Sequence, residues 1–128
     1  MRYLLDTHTL LWVGFNSGKL GRGATRVLAG LGRESLAVSD VSLFEVAQLS
    51  DKGRVSLPQG TQAFLERVEQ SFTLLPITPA IALDAVNVAL PHADPLDRII
   101  VATARQHRLT LITKDANITD SGVVNILW

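Results

Sequence analysis

The sequence predicts a three-layer α/β domain with a mainly parallel, roughly five-stranded central sheet. Short apolar runs of strand length alternate along the chain with longer segments whose apolar residues recur at helical spacing. Strands that alternate with helices form largely parallel sheets, and the helices then cover both faces of the sheet. The chain has 128 residues and a hydrophobic fraction of 47%, which is enough for one continuous core. We therefore expect residues 1–128 to form a single domain.

Each predicted element follows from its apolar pattern and from the residues that start or stop it. The first strand is short and apolar and stops at Asp6, and a helix then begins near Thr7 or His8. Asn-Ser-Gly at 16–18 interrupts that helix, and Lys52 followed by Gly53 is typical of a helix end. The predicted strands are residues 3–5, 35–39, 72–77, 109–113 and 123–127. The predicted helices are residues 7–15, 21–31, 42–52, 61–70, 79–89 and 95–108, with a short turn or helix at 116–120.

The segment 90–118 contains the clearest helix start in the chain. Asp94 is followed by Pro95, and an aspartate accepts hydrogen bonds from the free amides of a first turn, while proline fits the first helical position. Asp97 falls in the first turn of this helix. Asp115 stands where the following strand ends. Asp97 and Asp115 are therefore expected at the same edge of the fold.

The composition excludes several classes of protein. The chain contains no cysteine, which removes disulfide frameworks, thiol catalysis and cysteine-ligated zinc, and which is consistent with a cytoplasmic location. The apolar segment 1–15 is too short to span a bilayer, is interrupted by Asp6 and His8, and lacks the features of a signal peptide. We therefore expect no association with a membrane. Twelve basic and twelve acidic side chains cancel, so the net charge does not indicate a nucleic-acid partner.

The segment between residues 19 and 33 is locally basic, because it contains basic side chains and no acidic one. Arg22 and Arg26 share a face if this segment is helical. A solvated helix face is the common explanation for such a run, and a rim that contacts phosphate groups is the alternative. The candidate phosphate contacts are Lys19, Arg22 and Arg26.

Four carboxylates are placed where an open α/β sheet collects its functional residues, outside the carboxyl ends of the strands. They are Asp6, Glu45, Asp97 and Asp115. Carboxylates that converge from four segments repel one another unless a positive charge lies between them. Oxygen ligands without a histidine or cysteine cluster suit Mg²⁺ or Mn²⁺. The pattern thus indicates an acidic site for a divalent cation.

Each carboxylate also has a purely structural explanation. Ser42 and Glu45 have the S-x-x-E spacing of a capping box, in which the glutamate reaches back to the start of its helix. Asp94 is mainly a helix cap, with an outer role near the metal as the alternative. Asp6 alone would serve as a cap and Asp115 alone as a turn residue. What capping does not explain is the placement of all of them at one sheet edge.

Other catalytic patterns are weak or missing in this sequence. His8 lies close to Asp6 and is a possible substrate contact, although a histidine at a helix start is more often structural. The glycines between residues 18 and 23 lack the pattern of a phosphate-binding loop. No pairing of serine with histidine suggests a hydrolase triad. We interpret Trp12 and Trp128 as packing residues.

The chain resembles the PIN-domain ribonucleases, and among them the short toxins of VapBC-type toxin-antitoxin modules. The resemblance covers nearly the whole length. It is carried by four segments in order, LLDTHTLLW, VSDVSLFEVAQL, DPLDRIIVATA and LITKDANI, which contain Asp6, Glu45, Asp97 and Asp115 respectively. A single D-T or S-x-x-E is weak evidence, but the four segments together are specific.

The resemblance implies a PIN-like α/β/α fold and endonucleolytic cleavage of RNA that depends on Mg²⁺ or Mn²⁺. It assigns metal ligation and catalysis to Asp6, Glu45, Asp97 and Asp115, with Asp94 a possible outer ligand. Thr7, Ser42, Thr113 and Arg98 are expected to hold carboxylates or phosphate, with an ion pair between Arg98 and Asp94 as an alternative, and Lys19, Arg22 and Arg26 become candidate RNA contacts. The implied partners are a small antitoxin that covers the active groove and a second copy of the chain in a homodimer, within a toxin-antitoxin hetero-oligomer.

Two other functions are compatible with an acidic pocket in this fold. A phosphatase of the haloacid dehalogenase type also places an aspartate after its first strand, but it needs a second acid two residues later, where this chain has His8. A non-catalytic module would use the pocket only to hold a metal ion or a basic peptide. A cleavage assay with RNA, metal and chelator separates a nuclease from a binding module, and a phosphatase substrate tests the other alternative.

Overall fold

A parallel five-stranded sheet in the order β3-β2-β1-β4-β5 is the centre of the fold. The computed structural model describes residues 2–15 and 17–128. All four pairs of neighbouring strands are parallel. The strands are β1 Tyr3–Leu5, β2 Leu36–Ser39, β3 Thr73–Leu75, β4 Thr110–Ile112 and β5 Ile126–Leu127.

Seven α-helices within the described residues connect and cover these strands. A single turn of 3-10 helix, Arg33–Ser35, also precedes β2. The α-helices are α1 Thr7–Gly14, α2 Arg22–Ala29, α3 Val41–Asp51, α4 Thr61–Ser71, α5 Pro79–Asn87, α6 Pro95–His107 and α7 Ala116–Ser121. The predicted three-layer α/β fold with a five-stranded parallel sheet is therefore confirmed. None of these helices combines the length and the apolarity needed to cross a membrane.

The strands and some helix ends differ from the predicted boundaries. Pro76, which has no amide hydrogen for a sheet ladder, follows β3, so the predicted strand 72–77 is shorter. The predicted strand 123–127 is reduced to Ile126–Leu127, which pair with Leu111 and Ile112 of β4. Helix α6 ends at His107 because Arg108 adopts a left-handed conformation with φ of 56°. The predicted break of the first helix includes Asn16, which lies outside the described residues.

The two faces of the sheet carry separate apolar clusters. Successive strand residues point to opposite faces, and Leu4 and Leu5 of β1 accordingly belong to different clusters. The cluster around Leu4 includes apolar side chains of α6. The cluster around Leu5 includes side chains of α1, α2 and α4. The complete burial of Leu4 and Leu5 shows that β1 is covered from both sides.

The position of β1 at the centre of the sheet determines where a site can form. The chain proceeds from β1 to β2 and β3 on one side, and β4 then returns to the other side of β1. In open α/β sheets, a crevice opens at the carboxyl ends of the strands where the strand order reverses in this way. Leu5 is in register with Ile112 of β4, so Asp6 and Thr113 stand next to each other at that crevice.

Candidate active site

A cavity of about 400 Å³ lies at this crevice and is lined mainly by polar and acidic side chains. It brings together all four carboxylates predicted from the sequence, together with Asp94. The lining residues are Asp6, Thr7, His8, Trp12, Glu45, Asp94, Asp97, Lys114 and Asp115.

Asp6 is held through both of its carboxylate oxygens. It follows β1 and caps α1, where Oδ1 accepts a 2.8 Å hydrogen bond from the amide of Thr9. Oδ2 accepts a hydrogen bond from the hydroxyl group of Thr113. The capping role predicted as an alternative is therefore present, and it orients the carboxylate at the cavity rather than excluding it from the site.

Glu45 lies one turn into α3 and faces the cavity with the support of two hydroxyl groups. The hydroxyl of Thr7 donates a 2.6 Å hydrogen bond to Oε1 of Glu45. The hydroxyl of Ser42 is 2.9 Å from that of Thr7. Ser42 lies inside the helix, whose first residue is Val41, so the capping-box interpretation of Ser42 and Glu45 is wrong. The Ser42 side chain contacts Thr7 instead.

The start of α6 places Asp94 and Asp97 at the opposite side of the cavity. Asp94 is the N-cap, and its Oδ1 accepts a 2.9 Å hydrogen bond from the amide of Asp97. Pro95 is the first helical residue. Asp94 is exposed, whereas Asp97 is partly buried. The predicted cap is confirmed, and it directs Asp97 inward.

Asp115 is joined to Asp6 through Thr113. Asp115 caps α7, with Oδ1 accepting a 2.9 Å hydrogen bond from the amide of Ile118. The amide of Asp115 donates in turn to the hydroxyl oxygen of Thr113, at 3.1 Å. Thr113 is fully buried and bonds to Asp6. A single buried threonine thus links the segments that carry two of the four carboxylates.

The concentration of negative charge in the cavity changes the pKa of Asp97. Burial, and to a smaller extent the negative charges of Asp94, Glu45, Asp115 and Asp6, together raise the pKa of Asp97 from 3.8 to about 7. Desolvation and like charges both disfavour the ionised form of a carboxyl group. The cavity therefore holds more negative charge than it can stabilise by itself.

The donor set suits a hard divalent cation, although it is not arranged as a finished coordination sphere. Among residues 2–15 and 17–128, no group of three or more histidine, aspartate or glutamate side chains is positioned to hold a metal ion. The cavity nevertheless offers oxygen donors from four segments, and Mg²⁺ and Mn²⁺ bind through carboxylates and retained water. A bound cation would also supply the positive charge that Asp97 lacks. We conclude that the residues fit such an ion by their chemistry.

The guanidinium of Arg98 bonds to backbone carbonyls and not to a carboxylate, which was one of its predicted roles. Its guanidinium donates hydrogen bonds of 2.7 to 3.0 Å to four backbone carbonyls at and beyond the end of α5, those of Ala85, Val86, Val88 and Leu90. The ion pair with Asp94 is also not formed. The last carbonyls of a helix have no partner within the helix, and Arg98 satisfies them. Its role is to join α5 to α6.

The predicted basic rim lies outside the cavity. Lys19, Arg22 and Arg26 are exposed, and none of the three lines the cavity. Arg22 and Arg26 both lie on α2, as the predicted helix requires. Their proposed contact with RNA remains a prediction.

Two residues of the cavity wall were not predicted as such. Lys114 precedes Asp115 at the end of β4 and adds a positive charge to the lining. Trp12, interpreted from the sequence as a packing residue, also lines the cavity. Its position one helical turn after His8 is the sequence signal that places both on one face of α1.

Comparison with known proteins gives consistent results for sequence and fold. Ribonuclease VapC22 of Mycobacterium tuberculosis (strain ATCC 25618 / H37Rv) is 35% identical over 115 residues, which cover 88% of this chain and 85% of the relative. The fold is similar to that of DNA-bound VapBC from Salmonella typhimurium, with a TM-score of 0.73, 16% identity, and coverage of 98% of this chain and 96% of the other. A toxin-antitoxin complex from Klebsiella pneumoniae is similar with a TM-score of 0.66, 24% identity, and coverage of 95% and 94%.

The family assignment rests on a match between this sequence and a family model, as well as on these relatives. The PIN domain profile matches residues 3–122, a range that includes all four carboxylates. The resemblance noted from the sequence is thereby confirmed, and the chain belongs to the PIN domain family.

Proposed function

We propose that this chain is a metal-dependent endoribonuclease that hydrolyses phosphodiester bonds of RNA, and that it is the toxin of a toxin-antitoxin module. The observation that carries the proposal is the convergence of Asp6, Glu45, Asp97 and Asp115 around one cavity. The identity of 35% with Ribonuclease VapC22 supports RNA as the substrate.

In this proposal the four carboxylates hold Mg²⁺ or Mn²⁺, and Asp94 stands at the outer edge of the site. When bound, such an ion favours the deprotonation of water and offsets negative charge on a phosphate group. Thr113 orients the Asp6 carboxylate, and Thr7 orients that of Glu45. Residues that fix the orientation of metal ligands commonly change metal affinity when they are replaced.

Two further properties of the cavity affect RNA cleavage. They are the positive charge of Lys114 and the protonation of Asp97. Lys114 is a cationic side chain in the cavity lining, where it attracts a phosphate group that the carboxylates alone would repel. The raised pKa of Asp97 means that its proton competes with a cation near neutral pH. Cleavage should therefore increase as the pH rises through about 7, until Asp97 is ionised.

The test of the proposal is cleavage of single-stranded RNA by the purified protein with Mg²⁺, with Mn²⁺ and with excess chelator. We expect cleavage only with a divalent cation and its loss in Asp97→Asn. Asp51→Asn is the matched control, because Asp51 is an exposed aspartate at the end of α3 that does not line the cavity. Metal-independent cleavage, or full activity in the folded Asp97→Asn variant, would contradict the assignment.

The same assay separates the nuclease from a non-catalytic module, and a small phosphate ester as substrate tests the phosphatase. A non-catalytic metal- or peptide-binding module would bind the cation without cleaving RNA under any condition. A phosphatase of the haloacid dehalogenase type would release phosphate from a small phosphate ester. The structure places His8, not an acid, beside Asp6 in the cavity lining, so the residue that this phosphatase chemistry requires is missing there.

The proposal includes a protein partner. The structural neighbours include a toxin-antitoxin complex from Klebsiella pneumoniae and VapBC-1 from nontypeable Haemophilus influenzae, which supports a small antitoxin as the partner of this chain. A toxin homodimer, a hetero-oligomer with the antitoxin and a cytoplasmic location are further parts of the proposal. Coexpression with the product of the adjacent reading frame, followed by light scattering, tests this. Loss of RNA cleavage in a stable complex is the expected result, and a strictly monomeric, unbound chain would contradict it.

A further inference from the structure

The cavity lining contains an aromatic pair in addition to the carboxylates. His8 and Trp12 both line the cavity, and their ring centroids are 6.1 Å apart with planes inclined at 57°. His8 is exposed and Trp12 is half-buried. A molecule in the cavity can therefore contact both rings. Side chains that are buried in the core could not be contacted in this way.

Trp12 is supported from behind by the last residue of the chain. The rings of Trp12 and Trp128 are 5.6 Å apart at an angle of 58°. The carbonyl oxygen of Trp128 accepts a 3.1 Å hydrogen bond from the amide of Gly23. A Cβ atom on Gly21 would lie 2.5 Å from Cδ1 of Trp128, so the indole lies directly on this glycine. Trp128 is thereby fixed, and it limits the movement of Trp12.

We propose that Trp12, with His8 beside it, is a stacking surface for one unpaired base of the substrate, next to the carboxylates. This inference rests on the proposed function, because it assumes RNA in the cavity. Proteins recognise single-stranded RNA by stacking its bases on aromatic side chains. The acidic wall binds a phosphate only together with a cation, and the aromatic wall adds attraction that does not depend on charge.

The indole is the larger of the two rings, and its restrained position lowers the entropy lost when a base stacks on it. Trp12 also borders an apolar groove of about 290 Å³ lined by Val13, Leu20 and Leu28, among others. An apolar protein segment in that groove is the competing occupant. A base and such a segment differ in their effect on an RNA probe, because only the stacking of a base makes binding depend on the bases of the oligomer.

Fluorescence of Trp12 tests the stacking directly. The chain contains two tryptophans, so Trp128→Phe leaves Trp12 as the single tryptophan, and Asp97→Asn in the same protein prevents cleavage. The probes are oligoadenylate and a ribose-phosphate oligomer of equal length without bases, both with Mg²⁺. We expect quenching by oligoadenylate alone, with about tenfold or greater preference for it, since one stacked base contributes a factor of this size or more. Equal binding of both probes, or binding without quenching, would overturn the proposal.

Kinetics of variants in the otherwise native chain provide the second test. Trp12→Leu should raise KM for RNA about tenfold with little change in kcat, and Trp12→Phe should restore most of the affinity. An unchanged KM in Trp12→Leu overturns the stacking role while RNA cleavage by the native chain stands. Absence of cleavage by the native chain with either metal instead overturns the proposed function. If Trp12→Leu does not fold, the fluorescence test decides, since it retains Trp12.

Discussion

The hydroxyl group of Thr7 donates a 2.6 Å hydrogen bond to Glu45 and lies 2.9 Å from the hydroxyl of Ser42. A hydroxyl group carries one proton, so the Ser42 hydroxyl is the donor in the second contact. The three side chains form a chain of hydrogen bonds. The buried Ser42 orients the buried Thr7, and Thr7 orients Glu45 at the cavity.

Replacement of Thr7 by valine should therefore affect both stability and metal binding. The shape is retained, but Ser42 loses its acceptor, and we expect a loss of about 1 to 3 kcal/mol in the free energy of unfolding. Mg²⁺ affinity should fall by about 10- to 100-fold. Chemical denaturation and calorimetric titration measure the two effects. The double variant Thr7→Val with Ser42→Ala should recover part of the stability without recovering metal affinity. An unchanged free energy of unfolding and an unchanged Mg²⁺ affinity in Thr7→Val would contradict the orienting role of Thr7.

The contribution of Asp97 to the stability of the metal-free protein should decrease as the pH rises. The pKa of Asp97 is about 7 in the folded chain and 3.8 without the fold, so the folded state binds this proton more tightly. The contribution is fully present below about pH 4 and is lost as the pH rises through about 7. After allowance for solvent screening, it amounts to about 2 kcal/mol.

Asp97→Asn should remove this decrease, because an amide does not ionise. Urea denaturation in chelator at acidic, neutral and alkaline pH measures it, with Asp51→Asn as the control. A pH dependence that is identical in Asp97→Asn and the native chain would assign the effect to other groups.

Divalent cations should stabilise the fold through the same carboxylates. A ligand that binds only the folded state at about 100 times its dissociation constant adds about 2.7 kcal/mol. We expect Mg²⁺ or Mn²⁺ to raise Tm, chelator to reverse the rise, and Asp6→Asn to abolish most of it. Differential scanning calorimetry makes the comparison, with Asp51→Asn again as the control. An equal rise in Asp6→Asn would place the cation elsewhere.

Arg98 should be important for stability rather than for chemistry. Arg98→Met keeps the apolar stem but leaves four carbonyls without their donor, and we expect a loss of about 3 kcal/mol or more. Arg105→Met is the control on the same helix. Arg105 pairs with Asp84 at 2.8 Å, donates one 2.7 Å hydrogen bond to the carbonyl of Val123 and is 36% exposed, so its replacement should cost less, about 1 to 2 kcal/mol. Equal losses in the two variants, measured by denaturation, would contradict this role.

The contact between Gly21 and Trp128 predicts a steric effect at a position with ordinary backbone geometry. Gly21 has φ of −66°, which alanine adopts freely, but the added methyl group would meet the indole of Trp128. Gly21→Ala should lose about 1 to 3 kcal/mol and shift the tryptophan emission. Gly18→Ala, where a Cβ meets nothing within 4 Å, should do neither. An emission spectrum unchanged in Gly21→Ala would argue against the fixed position of Trp128.

The positions of the four carboxylates were predictable because local signals mark each of them. Asp6 and Asp115 follow apolar strands, and Glu45 lies near the start of the helix that follows the second strand. Asp94 with Pro95 marks the helix start that carries Asp97. Parallel strands end at a common edge, so strand ends far apart in sequence meet there. The prediction needed only the topology of the sheet, which alternating strands and helices indicate.

The supporting contacts were not predictable in the same way. Ser42 and Glu45 have the spacing of a capping box, but Thr7, which lies 35 residues before Ser42, contacts both side chains. Arg98 bonds to backbone carbonyls, which every residue possesses and which no sequence pattern distinguishes. Hydrogen-bond partners of this kind depend on which elements the fold brings together, and they require coordinates.

The central position of β1 in the sheet also determines how much of the chain must be synthesised before the carboxylates can come together. The earliest strand has β4 as its neighbour, and Thr113 reaches Asp6 across 107 positions of the chain. A ribosome must therefore extend the chain beyond Asp115 before the ring of carboxylates can close. A nascent or truncated product that lacks β4 carries Asp6, Glu45 and Asp97 but not Thr113 and Asp115, so we expect no nuclease activity before this part of the chain has been synthesised.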